Sequence, residues 1–416
     1  MSEHFEIPYG DYSLPLEIPN NVPVKIIGGD SYSNSNSVDI GKELISGGIK
    51  EFLDSAEDLL IIVNDHTRFT PSGRILPHIK SLSNLSKRKG KFEILIATGT
   101  HRSPHKDELK RILGPTFDEY FPYTRAHNSI DSEAHYLAGT VSSGIDVYLD
   151  KAVEKFHNII VVGSVEPHFF AGFTGGRKGI FPGVAFKDSI IKNHIKAIDR
   201  DVQPLELDNP IHRDMDEVID LLVDKNIFSI QAVHNPDRSI AGLFCGDIRE
   251  SFYRAVKLAE KIFVKEIDDY YDIVLAIMFP PLDIDLYQIQ KAFENTKYAV
   301  KPGGTCILVS KCRDGVGPDD WLKISARYNS PAEVLEKAQD VKMFGFHKLY
   351  RPARFMDRSK IFVVSDVEPF YIKSVFLTPK TDLQTAFNDA ASYLSPPYSA
   401  LIVYDAGQNV IRVKAK

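Results

Sequence analysis

Three short, almost uninterrupted apolar runs constrain this chain most: Leu59–Val63, Phe92–Ala97 and Ile159–Val162. A strand with one wet face alternates polar and apolar residues. A strand that is apolar throughout is covered on both faces, the mark of a parallel sheet between layers of helices. Each run ends in a polar or glycine-rich turn and then a helical segment. The turns are Asn64-Asp65-His66-Thr67-Arg68-Phe69-Thr70-Pro71, Thr98-Gly99-Thr100-His101-Arg102-Ser103-Pro104 and Gly163-Ser164-Val165-Glu166-Pro167-His168. Pro71 and Pro104 suit a first helical turn, and Ser103 suits the cap before Pro104. These are βα units, so an α/β domain with a largely parallel sheet is expected.

A second α/β unit begins near residue 270. Asp272–Met278 reads as a strand, Asp285–Val300 as a helix, Lys301-Pro302-Gly303-Gly304 as a stop and Thr305–Ser310 as the next strand. Ile361–Val364 and Ala400–Tyr404 are further strand candidates. With the boundary set in the polar stretch Lys261–Tyr271, two α/β domains are expected, residues 1–265 and 266–416. Val162–Pro167 and Val363–Pro369 share a Val-Glu-Pro ending, an echo short enough to be chance. No tandem repeat or low-complexity tract is present.

Composition excludes several classes. The 416 residues carry a formal net charge of −6, which does not suit a nucleic-acid binder. The basic stretch Lys87–Lys91 and the polar stretch Ser31–Ser37 read as surface loops. Three cysteines, Cys245, Cys306 and Cys312, form no C-x-x-C pair, so neither a disulfide framework nor a cysteine zinc site is expected. The acidic start, Met1-Ser2-Glu3-His4-Phe5-Glu6, lacks a signal core, and the apolar stretch near Ile273–Phe279 is too short to span a bilayer. A cytoplasmic location, with no membrane partner, is the expectation.

In open α/β sheets, ligands bind beyond the carboxyl ends of the strands. Three successive strand ends here carry Asp65 and Arg68, His101 and Arg102, and His168. The segment Glu166–Gly183 follows, with five glycines, Arg177, Lys178 and several aromatics in 18 residues. Its glycines permit close backbone approach and positive φ, and its amides suit a phosphate. It is not a Walker A loop, since no Ser or Thr follows Lys178 and the G-x-x-x-x-G-K spacing is missing. Lys178 has the chemistry of a phosphate ligand or of a nucleophile. His194, in Ile191-Lys192-Asn193-His194, is a structural histidine unless other ligands accompany it. In the second unit, Tyr287 and Lys291 share a helix face, with Gln288 beside them. If that face looks into a cleft, its donors suit a carboxylate. His347 and Lys348, with Tyr350 and Arg351, read equally as a basic turn or as recognition of a longer or more polar acid. Trp321 reads as core.

Taken together, Asp65-His66-Thr67-Arg68, Gly99-Thr100-His101-Arg102, the Glu166–Gly183 loop, Asn193-His194 and Tyr287-Gln288-x-x-Lys291 resemble the nickel-dependent lactate racemase family of 2-hydroxyacid racemases and epimerases. The resemblance runs from about Asp65 to Lys291 and is loosest before residue 55 and after about 320. It implies an isomerase that inverts C2 of a 2-hydroxy acid, with the active site in the cleft between the domains. Residues 1–265 would bind the cofactor and 266–416 would complete the substrate site. The implied cofactor is a nickel-pincer nucleotide, a pyridinium-3,5-bisthiocarboxylic acid mononucleotide that holds Ni(II), covalently attached to Lys178. His194 would supply the protein's nickel ligand, and Asp65, His66, Thr67 and Arg68 would contact the nucleotide. His101 and His168 would be the acid–base pair for a reversible hydride transfer to the pyridinium ring. Tyr287, Gln288 and Lys291 would bind the substrate. Dedicated maturation proteins would supply the cofactor. Two alternatives stay open from the residues alone: a zinc-dependent hydrolase or lyase using His101, His168 and His194, and a non-catalytic nucleotide- or phosphate-binding protein.

Overall fold

The computed structural model describes residues 2–29, 38–83, 91–199, 204–280, 282–338, 341, 343 and 345–414. The Ser31–Ser37 stretch and residues 87–90 of the basic stretch lie outside the described residues. Strands that build the two main sheets are, in chain order, β1 (Val24–Ile27), β2 (Leu59–Asn64), β3 (Phe92–Ala97), β4 (Thr124–Ala126), β5 (Asn158–Ser164) and β6 (Asn226–His234). They continue with β7 (Ile240–Gly246), β8 (Tyr271–Ile277), β9 (Val300–Val309), β10 (Lys360–Val364), β11 (Thr378–Lys380) and β12 (Ala400–Val403).

One six-stranded sheet has the order β7-β6-β5-β2-β3-β4. All its pairs are parallel except β6 with β7, which form an antiparallel edge hairpin. Every residue of β5 is buried, as its unbroken apolar run requires. Ile61, Val63, Ile94, Ile96, Ile160 and Val162 pack on one face against Ile75, Leu76 and Ile79 of the helix Ser72–Leu82. The second sheet has the order β11-β10-β9-β8-β12-β1 and is parallel throughout. The α/β class with largely parallel sheets is thus observed. Among the described residues no helix is long and apolar enough to cross a membrane.

The chain divides into two compact units, Tyr32–Lys196 with Leu205–Ile262, and Met1–Ser31 with Ala197–Pro204 and Phe263–Lys416. The first 31 residues therefore belong with the C-terminal half. Two causes are visible. β1 pairs with β12, and the hairpin Ser2–Tyr9/Tyr12–Pro19 buries Phe5, Ile7, Leu16 and Ile18 against Ile273, Ile307 and Phe362. The pattern along Ser2–Pro19 alternates, which suits a hairpin that lays one face on a sheet.

Two local expectations change. The stop at Lys301–Gly304 lies inside β9, where the register against β8 shifts between Tyr271 and Ile273, and Gly303 takes φ +84. It is a bulge that lets the strand continue. The helix after β8 is Gln290–Thr296, so Tyr287 and Gln288 sit in the turn before it and only Lys291 is helical. Asp285 holds that turn by accepting the Gln288 amide at 2.6 Å.

Candidate active site

The chain leaves β2 toward β3 on one side and leaves β5 toward β6 on the other, so the sheet order reverses between β2 and β5. Loops that part at such a point leave a crevice at the carboxyl edge. The turn after β2 carries Asp65 to Arg68, the turn after β3 carries His101, and β5 leads into Glu166 to His168. These loops are tied together. Asn64 Nδ2 donates to Thr70 Oγ at 2.8 Å, Thr70 Oγ donates to Ser164 Oγ at 3.2 Å, and the Gly99 amide donates to the Gly183 carbonyl at 2.9 Å.

Asp65 is only 3% exposed and works for His101. His101 Nδ1–H donates to Asp65 Oδ2 at 2.7 Å, while Asp65 Oδ1 accepts from the Thr67 amide at 3.1 Å and Thr67 Oγ at 2.7 Å. Burial works to raise this carboxyl, but His101, Thr67 and the Arg68 charge hold it below its usual range, so it is ionised. An ionised carboxylate only accepts, so Nδ1 of His101 carries a proton, and in the neutral tautomer this selects, the lone pair is on Nε2.

His168 is set the other way. Its Nδ1 accepts from the amides of Ala171 at 3.2 Å and Phe170 at 3.5 Å, which puts the ring proton on Nε2. One histidine thus offers a base at Nε2 and the other a donor. The His168 ring stacks on Phe169 at 5.0 Å and meets Phe170 edge-on at 4.4 Å. Phe170 also meets the His194 ring at 5.0 Å, and Lys178 Nζ lies 6.0 Å from its centre. Phe170 therefore holds His168, His194 and Lys178 around one ring, a role that no local motif announces.

His194 lies on the helix Lys187–Asp199. Crowding by the surrounding protein, then the Lys178 charge, push its titration down to about 3, against a hydrogen bond to the Ile190 backbone. The ring is neutral, as a metal ligand must be. Its Nδ1 faces Asn193 Oδ1 at 3.1 Å. Asn193 is itself buried and donates to Asp214 at 2.8 Å and to the Ile211 carbonyl at 3.2 Å.

The glycine-rich segment is no surface loop. From 169 to 185 every residue is buried except Lys178, which is half-buried. Gly175 has φ +85, and a Cβ there would stand 2.6 Å from Val165 Cγ2 and 2.7 Å from Gln231 Oε1. A Cβ on Gly183 would meet the Gly179 carbonyl at 2.2 Å. These glycines are demanded by protein packing, so the reading of a backbone opened toward a phosphate loses its main support. Gln231, on β6, anchors the segment by accepting the Gly176 amide at 2.7 Å, and Thr174 Oγ donates to the Ser164 carbonyl at 2.8 Å. Arg177 turns inward to Asp216, 2.6 Å away, and to the Phe252 ring at 4.0 Å. Its neighbour Lys178 is half-buried.

Other candidates fall into supporting places. Arg102 makes a double contact with Glu108, 2.7 Å at each nitrogen. His66 lies 3.8 Å from Glu108, and its Nδ1 is buried without a hydrogen-bond partner among the described residues. Arg68 is half-buried near Asp65. Among the described residues no three His, Cys, Asp or Glu side chains converge to hold a metal ion. His101, His168 and His194 therefore do not form a three-histidine zinc centre.

In the C-terminal unit the sheet order reverses between β8 and β12. The turn after β8 bears Tyr287 and Gln288, and the helix Gln290–Thr296 that follows it bears Lys291. Tyr287 meets Trp321 edge-on at 5.4 Å, and Trp321 is 2% exposed, in the core as expected. Lys348 lies 4.6 Å from the centre of the Tyr287 ring and donates to the Tyr287 carbonyl at 3.3 Å. Arg351 is committed elsewhere, to the buried Glu294 at 2.7 and 2.6 Å. The helix His347–Met356 buries His347, Lys348 and Arg351, so this basic run is not an exposed turn.

Residues 9–204 match the lactate racemase N-terminal domain, and residues 270–412 match the lactate racemase C-terminal domain. A curated lactate racemase of Thermoanaerobacterium thermosaccharolyticum is 29% identical over 99% of this chain and 100% of its own length. The lactate racemase of Lactiplantibacillus plantarum is 31% identical over 70% of this chain and 69% of its own. The solved lactate racemase apoprotein of T. thermosaccharolyticum superposes with a TM-score of 0.88 at 26% identity, covering 99% of this chain and 100% of that one.

Proposed function

Because this chain belongs to the lactate racemase family and is therefore an isomerase, we propose that it inverts C2 of a 2-hydroxy acid, lactate or a related acid, with a nickel-pincer nucleotide attached through Lys178. The observation that carries this reading is the gathering of His168, His194 and Lys178 around Phe170. The residues fit the group. His194 is neutral with its Nδ1 turned to Asn193, and Lys178 is half-buried in a segment otherwise buried from 169 to 185. Asp65, His66, Thr67 and Arg68 would hold the nucleotide, with Asp65 also serving His101. The group, when bound, supplies the acceptor and donor for the hydride of C2.

The chain's own work is binding and proton transfer. Gln288 and Lys291 hold the substrate, with Tyr287 lining its place. His101 takes the hydroxyl proton at Nε2, and Asp65 stabilises the imidazolium that forms. His168 presents Nε2–H to the oxygen in the mirror arrangement. Two histidines are needed because the hydroxyl lies on opposite sides in the two enantiomers. In the reverse direction the roles exchange. Maturation proteins are the implied partners, since the protein's groups hold the nucleotide and do not build it.

Intact-mass and nickel analysis of protein made together with the cofactor-forming proteins tests the reading. A nucleotide-sized adduct on Lys178 with nickel is expected, and Lys178→Ala should lose the adduct. An unmodified wild-type chain without nickel, under proven cofactor supply, would falsify the assignment.

A further inference from the structure

Asn193 is wholly buried on the helix Lys187–Asp199, and its amide has a place for each atom. Nδ2 donates to Asp214 Oδ2 at 2.8 Å and to the Ile211 carbonyl at 3.2 Å, both on the helix Pro210–Asp220. Asp214 is itself held. It is ion-paired to Lys196 Nζ at 2.6 Å and accepts the Ser143 hydroxyl at 2.8 Å. A salt-bridged carboxylate and a carbonyl oxygen only accept, so the amide has one orientation, with its NH2 turned to them and Oδ1 turned away. Oδ1 stands 3.1 Å from His194 Nδ1. An amide oxygen cannot donate, so this contact is a hydrogen bond only when His194 carries a proton on Nδ1. In the neutral ring the lone pair is then on Nε2. The Ile190 backbone also hydrogen-bonds the ring, and that contact does not depend on which side chain stands at 193.

We propose that Asn193 is a positioning residue of the cofactor site: anchored by Asp214 and Ile211, it holds His194 in the tautomer protonated on Nδ1, the form that ligates a metal through Nε2. The tautomer follows from the amide network alone, whereas its use toward nickel rests on the racemase reading. Asn193 touches neither substrate nor cofactor in this scheme. It acts through His194, as the hydrogen-bond partner of a ligating histidine sets which nitrogen faces the metal.

Protein without cofactor, carrying isotopically labelled histidines, tests the tautomer by long-range proton–nitrogen correlation spectra at neutral pH. The His194 signals are identified by their loss in His194→Gln. The wild-type ring should be protonated on Nδ1. In Asn193→Leu the ratio of Nδ1–H to Nε2–H should fall about fivefold or more, the scale of one buried hydrogen bond. Asn193→Ala, which adds no bulk, gives the same reading if the leucine variant does not fold. A wild-type ring protonated on Nε2, or a ratio unchanged from wild type in the folded variants, overturns the proposal and leaves Ile190 as what sets the ring. On nickel-loaded protein matched for the Lys178 adduct, kcat should fall about 10- to 100-fold in the same variants, the range for removing such a partner. A shifted tautomer with undiminished kcat at equal loading also overturns the proposal. If the wild type takes up neither adduct nor nickel under proven supply, the racemase reading fails, and the tautomer ratio still decides the role of Asn193.

Discussion

Asp65→Asn separates the Asp65–His101 pair with almost no change of shape. The amide that replaces the carboxylate has one orientation available. Thr67 offers two donors, its amide at 3.1 Å and its hydroxyl at 2.7 Å, to the position of Oδ1. The amide oxygen must sit there, so the amide nitrogen is turned toward His101 Nδ1, where it donates. His101 then carries its proton on Nε2, and the base is in the wrong tautomer. The lost charge adds a second cost. A carboxylate about 4 Å from an imidazolium contributes roughly 4 kcal/mol at an effective dielectric constant of about 20. The His101 side chain is 48% exposed, so about half of this survives screening. That leaves about 2 kcal/mol, or roughly 30-fold in rate. A trapped tautomer behind a histidine base costs up to about 10⁴-fold. The expected loss is therefore between about 10² and 10⁴. The assay is the racemisation rate, normalised to nickel content and to the mass of the Lys178 adduct, so that poor loading is not mistaken for poor chemistry. A variant that keeps more than about a tenth of the rate at equal loading would refute the tautomer argument.

Two further outcomes test the packing. Gly175→Ala should destabilise the N-terminal unit by about 3 kcal/mol, because it adds left-handed strain to a clash with Val165 and Gln231; an unchanged denaturant midpoint would return the segment to the status of a plain loop. For Glu294, burial raises the carboxyl but Arg351 and Lys297 bring it to about 2, against an ordinary 4.5. The unfolded chain therefore takes up the proton first as pH falls. The stabilisation is complete above about pH 4.5 and is lost between there and about 2. Glu294→Gln strands two buried cations, so it should be less stable than the wild type by about 3 kcal/mol at pH 7. That gap should close in unfolding titrations toward pH 2, and a gap independent of pH would show that the ion pairs contribute nothing.

Much of the site was legible because its chemistry stands at the ends of strands whose pattern is unmistakable. Leu59–Val63 and Ile159–Val162 are apolar at every position, and covered parallel strands need that. The residues after them fall at the carboxyl edge by topology alone. The sequence places Asp65, His101 and His168 at that edge in this way, and the family resemblance implies roles for Lys178 and His194. The Asp65–His101 bond was not legible. The two residues are 36 positions apart and meet because Asn64 pairs with Ala97 in adjacent strands. Asp65 was assigned to the nucleotide alone. Phe170 was missed because an aromatic in an apolar loop carries no motif. The glycines were misread as open backbone, since the need for a missing Cβ looks the same in sequence whether a ligand or Val165 fills the space.

The sequence by itself determined the α/β class, the strands and the three loop ends that bear chemistry, because covered strands and turns are written in local hydrophobicity and in glycine and proline. Only the tertiary structure decided that Ser2–Pro19 lies with the C-terminal unit, and that Arg177 and Arg351 are spent on Asp216 and Glu294. Adjacent basic residues look alike along a chain. What distinguishes them is which carboxylate another strand or helix brings within about 3 Å, and that is a property of strand order and packing.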